Sequence, residues 1–145
     1  MQLTGFSQGG GTVAQVAASG QFSVTGVATF GGPTGQVHLP TGIPVVIVEH
    51  LDDPVPALGG SQANDAAVVV RRDVFGGTGL PDDLAVPSHH AEYYAETATL
   101  MDRSHDAALA AAVARLDAFG AGATTVTSVA YEFDRPAPSG TWACR

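Results

Sequence analysis

The chain has 145 residues, 45% of them apolar, which suits one globular domain with a core and excludes a disordered tail. Lysine and arginine total 6 against 14 for aspartate and glutamate, giving a net charge of −8. This balance argues against a nucleic-acid partner and against attraction to anionic membranes. The apolar runs reach only about six residues, too few for a stable membrane anchor.

The hydrophobic pattern predicts strands that alternate with helices. In chain order, it predicts a strand over 2–4, a helix over 12–18, strands over 24–30, 45–48 and 68–70, helices over 92–101 and 106–119, and a strand over 124–133. Residues 52–56 and 76–88 are predicted as loops. We therefore expect an α/β fold with a mostly parallel sheet and flanking helices, in a domain over 1–135 followed by a tail over 136–145.

A serine lies inside a glycine-rich turn near the start of the chain. Gly5, Ser7 and Gly9 match the pattern G-x-S-x-G, between a predicted strand and a predicted helix. We expect a strained turn in which a Cβ atom at either glycine would collide with the packed strand and helix. A helix that begins at Gln8 or Gly9 would point its free N–H groups at a developing oxyanion, with the Gln8 N–H as one donor. The alternative is a turn whose serine only caps the helix.

A serine nucleophile needs a base and an acid, which follow it in the order Ser, Asp, His in this architecture. Asp52 and Asp53 come just after the predicted strand 45–48, where α/β sheets place reactive groups. Either aspartate could instead be an ordinary turn former. His89 and His90 precede a predicted helix, and a neutral imidazole suits a general base. The spacing alone does not decide between Asp52 and Asp53 as the acid, or between His89 and His90 as the base.

The histidines also raise the question of a metal site. His89 and His90 are adjacent, and His50 could join them only if the fold brought it close. The single cysteine, Cys144, has no partner at zinc-ligand spacing and cannot form an internal disulfide. We therefore expect no metal and no cofactor.

Four segments resemble a known family. Residues 4–10 resemble the nucleophile elbow of α/β-hydrolases, and residues 28–33 resemble the aromatic-Gly-x-Pro turn of class 3 (fungal-type) lipases. Residues 49–58 are similar to the acid loop of that family, whose aspartate stands three residues before a proline. Residues 89–94 resemble its histidine segment, in which an aromatic residue follows the histidine by five positions. The resemblance selects Asp53 and His89, with Asp52 and His90 as alternatives.

The resemblance implies a serine hydrolase of carboxylic esters that works through an acyl-enzyme intermediate. Ser7 would be the nucleophile, His89 the base, Asp53 the orienting acid, and Gln8 an oxyanion-hole donor. The substrate would be a small-molecule ester or a lipid, and transfer of the acyl group to an alcohol or thiol stays open.

The resemblance covers residues 2–100 and lacks the strands that precede the elbow in this family. It also lacks the loop that supplies one oxyanion-hole donor. We therefore expect the C-terminal half of a hydrolase domain, with an exposed sheet edge that could pair with another chain. The alternative function is a non-catalytic binding module or a remnant of such an enzyme.

Overall fold

The structure, a computed structural model, describes residues 1–77 and 86–131. It contains a four-stranded, all-parallel sheet with helices packed against it, so the expected partial α/β fold is confirmed. The strands are β1 (Gln2–Phe6), β2 (Gly26–Phe30), β3 (Val45–His50) and β4 (Val68–Arg72). The helices are α1 (Gln8–Ala18), α2 (Pro54–Ala57), α3 (Ala91–Met101) and α4 (Ala107–Asp117), with 3-10 turns at Pro87–His89 and Ala118–Gly120.

The strand register brings the loops that follow the strands to one edge of the sheet. The strands lie in the order β1-β2-β3-β4, and Phe6, Phe30, Val48 and Val70 form one row across them. Because all four strands are parallel, the segments that follow this row leave the sheet on the same side. The elbow after β1 and the acid loop after β3 therefore meet at the carboxyl end of the strands.

Two hydrophobic layers cover the faces of the sheet. On one face, α1 packs against the strands, and on the other, α3 and α4 pack against them. The first layer is built from Ala14, Ala17, Val27, Leu39, Val45 and Ile47, and the second from Ala28, Val46, Val48, Tyr94, Leu109, Ala112 and Leu116. β3 contributes to both layers, which explains its continuous apolar run.

Several predicted boundaries were wrong. The predicted loop over 52–56 contains the start of α2, and the predicted loop over 76–88 ends in a 3-10 turn in which Pro87 and Ser88 are buried. The predicted strand over 124–133 is absent as far as residue 131: residues 124–131 are exposed and form no ladder, and a strand needs a neighbour to pair its backbone. Residues 78–85, 132–133 and the predicted tail 136–145 lie outside the described residues.

β1 forms one edge of the sheet, since in the described part of the chain only β2 pairs with it. Thr4 and Phe6 of this strand are exposed. Within residues 1–77 and 86–131, no helix is both long and apolar enough to cross a membrane.

Candidate active site

Three polar side chains from separate segments form a continuous hydrogen-bonded chain. The Ser7 Oγ atom lies 2.7 Å from His89 Nε2, and His89 Nδ1 lies 2.7 Å from Asp53 Oδ2. The Asp53 side chain is fully buried, whereas 19% of the His89 side chain is exposed. With a neutral imidazole, Nδ1–H donates to the carboxylate and Nε2 accepts the serine proton, an arrangement that can raise the nucleophilicity of Ser7.

The backbone of Ser7 adopts a conformation that is rare for residues with a side chain. Its φ is 55° and its ψ is −131°. The turn is fixed from both sides, since the Ser7 N–H donates to the Phe30 carbonyl and the Ser7 carbonyl accepts from the Gly10 N–H, both at 2.9 Å. Ser7 holds the N-cap position of α1, but its hydroxyl makes no capping hydrogen bond. The hydroxyl faces His89 instead, which disfavours the interpretation of Ser7 as a simple cap.

The two glycines of the G-x-S-x-G pattern are not equivalent. A Cβ atom on Gly5 would lie 2.4 Å from the Gly9 carbonyl oxygen, so the turn requires glycine at position 5. A Cβ atom on Gly9 would meet nothing within 4 Å, so the predicted collision there was wrong. Gly9 is exposed on the outer side of α1. The close packing lies one residue later, where a Cβ atom on Gly10 would come within 3.0 Å of the Gly32 Cα.

The acid loop presents Asp53, not Asp52, to the imidazole. Asp53 caps α2, because its Oδ1 accepts the Val55 N–H at 2.9 Å, which leaves Oδ2 for His89. The Asp52 carboxylate turns away and accepts the N–H groups of Val74 and Phe75 at 3.4 and 3.3 Å. Asp52 therefore orders the turn after β4.

The histidine segment presents His89, not His90. His89 ends the 3-10 turn, and the ring of Phe6 stacks on its imidazole with the centroids 5.1 Å apart. Ser88 fixes the turn by donating from its hydroxyl to the Asp52 carbonyl at 2.7 Å. His90 stands at the N-cap position of α3 and makes no capping hydrogen bond with its side chain.

Sequence reasoning missed the roles of two buried residues, His50 and Tyr94. The His50 Nδ1 atom lies 2.7 Å from the Ser88 carbonyl oxygen, and Nε2 lies 2.8 Å from Thr97 Oγ1. Burial lowers the pKa of His50, although the hydrogen bond to Ser88 opposes this shift. A neutral His50 thus ties β3 to the histidine segment rather than completing a metal site.

Tyr94 lies behind Asp53. Its ring stacks on His50 with centroids 3.7 Å apart, and its hydroxyl donates to Asp53 Oδ2 at 2.7 Å. Burial raises the pKa of Tyr94, and the hydrogen bond to Asp53 raises it further, so the phenol stays protonated. The only sequence signal was an aromatic residue five positions after His89.

The first turn of α1 faces the serine. Gln8 is the first residue of this helix, so its N–H has no acceptor inside the helix. The aligned peptide dipoles place partial positive charge at this end, which favours an oxyanion beside Ser7. In the described ranges, no group of three or more His, Cys, Asp or Glu side chains is placed to hold a metal ion.

Comparisons with models of protein families, with curated proteins and with solved structures found no match.

The difference between the two glycines predicts opposite effects of the same substitution. Gly5→Ala forces the elbow to shift, and we expect it to lower the free energy of unfolding by about 1–3 kcal/mol, as overpacking does. The Cβ atom added by Gly9→Ala would meet open space in a helix, so this substitution should raise the free energy of unfolding by up to about 1 kcal/mol. Urea unfolding followed by circular dichroism measures both. Equal effects of the two substitutions would contradict the difference in packing.

The positive φ of Ser7 predicts that the serine is held at a cost to stability. Such a conformation costs about 1–3 kcal/mol for a residue with a Cβ atom and almost nothing for glycine. The free energy of unfolding of Ser7→Gly should therefore be about 1 kcal/mol higher than that of Ser7→Ala. This difference already allows for the greater conformational entropy of glycine in the unfolded chain. Both variants lose the same hydroxyl, so each is the control for the other. A Ser7→Ala variant as stable as Ser7→Gly would show that the turn is relaxed.

Proposed function

We propose that this chain is a serine hydrolase that acts on carboxylic esters. The observation that carries the proposal is the unbroken Ser7–His89–Asp53 hydrogen-bonded chain, with 2.7 Å at both steps. The elbow backbone at Ser7 and the helix N-terminus beside it support the same assignment. The resemblance of residues 4–10 to the elbow of α/β-hydrolases, and of residues 49–58 to the acid loop of class 3 lipases, agrees with it.

In the proposed first step, the Ser7 oxygen attacks the ester carbonyl carbon and its proton passes to His89 Nε2. Asp53 holds the Nδ1–H tautomer and stabilises the imidazolium that forms. The Gln8 N–H donates to the oxyanion, and each such donor contributes about 10²–10³-fold to the rate. When the tetrahedral intermediate collapses, the C–O bond to the alcohol breaks and His89 returns its proton to that alcohol.

In the second step, His89 takes a proton from water, whose oxygen attacks the acyl-enzyme. Collapse releases the carboxylic acid and returns the proton to Ser7. An alcohol or a thiol in the place of water would give acyl transfer by the same steps. The net charge of −8 favours small or dispersed esters over substrates on anionic lipid surfaces.

The test is covalent labelling by a fluorophosphonate probe, followed by ester hydrolysis. We expect Ser7→Ala to abolish labelling, whereas Ser61→Ala, at an exposed serine, should label like the parent chain. Asp53→Asn should lower kcat by about 10⁴-fold, because an amide at this position favours the wrong imidazole tautomer.

Asp52→Asn is the matched control, because Asp52 contacts the turn after β4 and not His89. Its kcat should stay within about threefold of the parent value, because asparagine keeps a side-chain oxygen that can accept from the turn after β4 and leaves the Asp53–His89 contact in place. Labelling that persists in Ser7→Ala, or an equal loss in the two asparagine variants, would overturn the proposal.

A second candidate function is self-association through β1, favoured by an outer edge with which no strand of residues 1–77 and 86–131 pairs. Residues 2–6 carry no charge and no proline, the features that usually protect a strand edge. Antiparallel pairing of β1 with β1 of a second copy would place Thr4, the middle residue, opposite its own counterpart. Such a contact would be isologous, as in most dimers.

This second candidate predicts a charge-sensitive dimer. Thr4→Lys would place two like charges opposite each other and should weaken dimerisation by about fivefold. Gln15→Lys adds the same charge at an exposed position on α1 and should leave the dissociation constant of the dimer unchanged. Sedimentation equilibrium over a range of concentrations measures the dissociation constant. A monomeric parent chain, or equal effects of both lysines, would exclude this contact.

A further inference from the structure

One oxygen of the buried acid accepts two hydrogen bonds. Asp53 Oδ2 lies 2.7 Å from His89 Nδ1 and 2.7 Å from the Tyr94 hydroxyl oxygen. Its other oxygen, Oδ1, accepts the Val55 N–H. A fully buried carboxylate needs such donors to offset its lost hydration. The Tyr94 donor is distinctive because it reaches the same oxygen that faces the base.

The direction of the Tyr94 hydrogen bond follows from its other partner. The His50 backbone N–H lies 3.2 Å from the Tyr94 hydroxyl oxygen and can only donate to it. The hydroxyl has a single proton, which is then free to point at Asp53. The carboxylate is an acceptor when ionised, so the chain of donors runs from His50 through Tyr94 to Asp53.

The Tyr94 ring is held so that its hydroxyl cannot turn away. Tyr94 is 3% exposed, and its ring stacks on His50 and meets Phe6 edge-to-face at 5.5 Å. Gly31 lies against it with a φ of 59°, and a Cβ atom there would come within 2.8 Å of the ring. The glycine after β2 therefore makes room for the tyrosine.

We propose that Tyr94 is a positioning residue that holds the Asp53 carboxylate in the orientation that serves His89. This inference rests on the proposed hydrolase function and adds a fourth residue to its machinery. Without the phenol, Oδ2 would keep only the His89 hydrogen bond, and the carboxylate would be held less firmly about its Cβ–Cγ bond. The imidazole would then be oriented less strictly, and kcat would fall while substrate binding stayed the same.

The first test is Tyr94→Phe, which removes only the hydroxyl and keeps the stacked ring. We expect kcat for a soluble ester to fall about ten- to a hundredfold, the worth of a hydrogen bond to a charged group. KM should stay within about twofold, because Tyr94 acts on the transition state through Asp53. Tyr93→Phe is the matched control, since the neighbouring phenol ring contacts Phe75 and lies outside the triad. An unchanged kcat in Tyr94→Phe, or an equal loss in Tyr93→Phe, would overturn the inference.

The second test asks whether Tyr94 acts through Asp53. In an Asp53→Asn background, Tyr94→Phe should have almost no further effect on kcat, because the carboxylate it positions is gone. Full additivity of the two substitutions would contradict the inference.

A readout without substrate separates this inference from the proposed function. In proton NMR, the His89 Nδ1–H signal, assigned by its loss in His89→Gln, should move upfield in Tyr94→Phe, because a less strictly held Asp53 carboxylate makes a weaker hydrogen bond to Nδ1. An unmoved or lost signal would overturn the role of Tyr94. If the signal moves while the parent chain neither labels nor hydrolyses esters, the hydrolase proposal fails and the contact between Tyr94 and Asp53 stands.

Discussion

The buried carboxylate of Asp53 is the interaction on which the rest of the site depends. A charged group without exposure to water is tolerated only where hydrogen-bond donors replace its hydration. Asp53 receives three donors from three segments: the backbone at the start of α2, the imidazole of His89, and the phenol of Tyr94. The acid loop, the histidine segment and α3 are thereby joined at a single side chain. The charge that would orient the base thus also holds together the segments around it.

The elbow is the complementary constraint, because it keeps Ser7 in a conformation that an isolated peptide would leave. Such strain persists only where the surroundings determine the backbone. Here β2 supplies the Phe30 carbonyl, and the close approach of Gly10 and Gly32 packs the start of α1 against the loop after β2. The parallel register then places this turn beside the acid loop. Ser7 is thus positioned by backbone contacts, whereas Asp53 and His89 are positioned by side chains.

The fold was largely predictable where local pattern and tertiary environment agree. The apolar run over 45–48 predicted a strand buried on both faces, and helix periodicity predicted α3 and α4 to within about two residues, the usual uncertainty of helix ends. The predictions failed where a distant partner decides the outcome. Residues 124–131 have the composition of a strand but no neighbouring strand in the described structure. The α2 turn was missed because its Asp53 cap was interpreted as part of a loop.

The sequence by itself determined the residue types of the site, their order along the chain, and the parallel α/β arrangement that brings strand ends together. It did not decide between Asp52 and Asp53, or between His89 and His90, until a family resemblance favoured one residue of each pair. Only the tertiary structure decided which carboxylate faces which imidazole, and only it revealed Tyr94 and His50 beside them. The physical reason is that adjacent residues in a turn point in different directions. Their partners lie 36 to 82 residues away, so packing across the sheet edge selects the one that closes the contact.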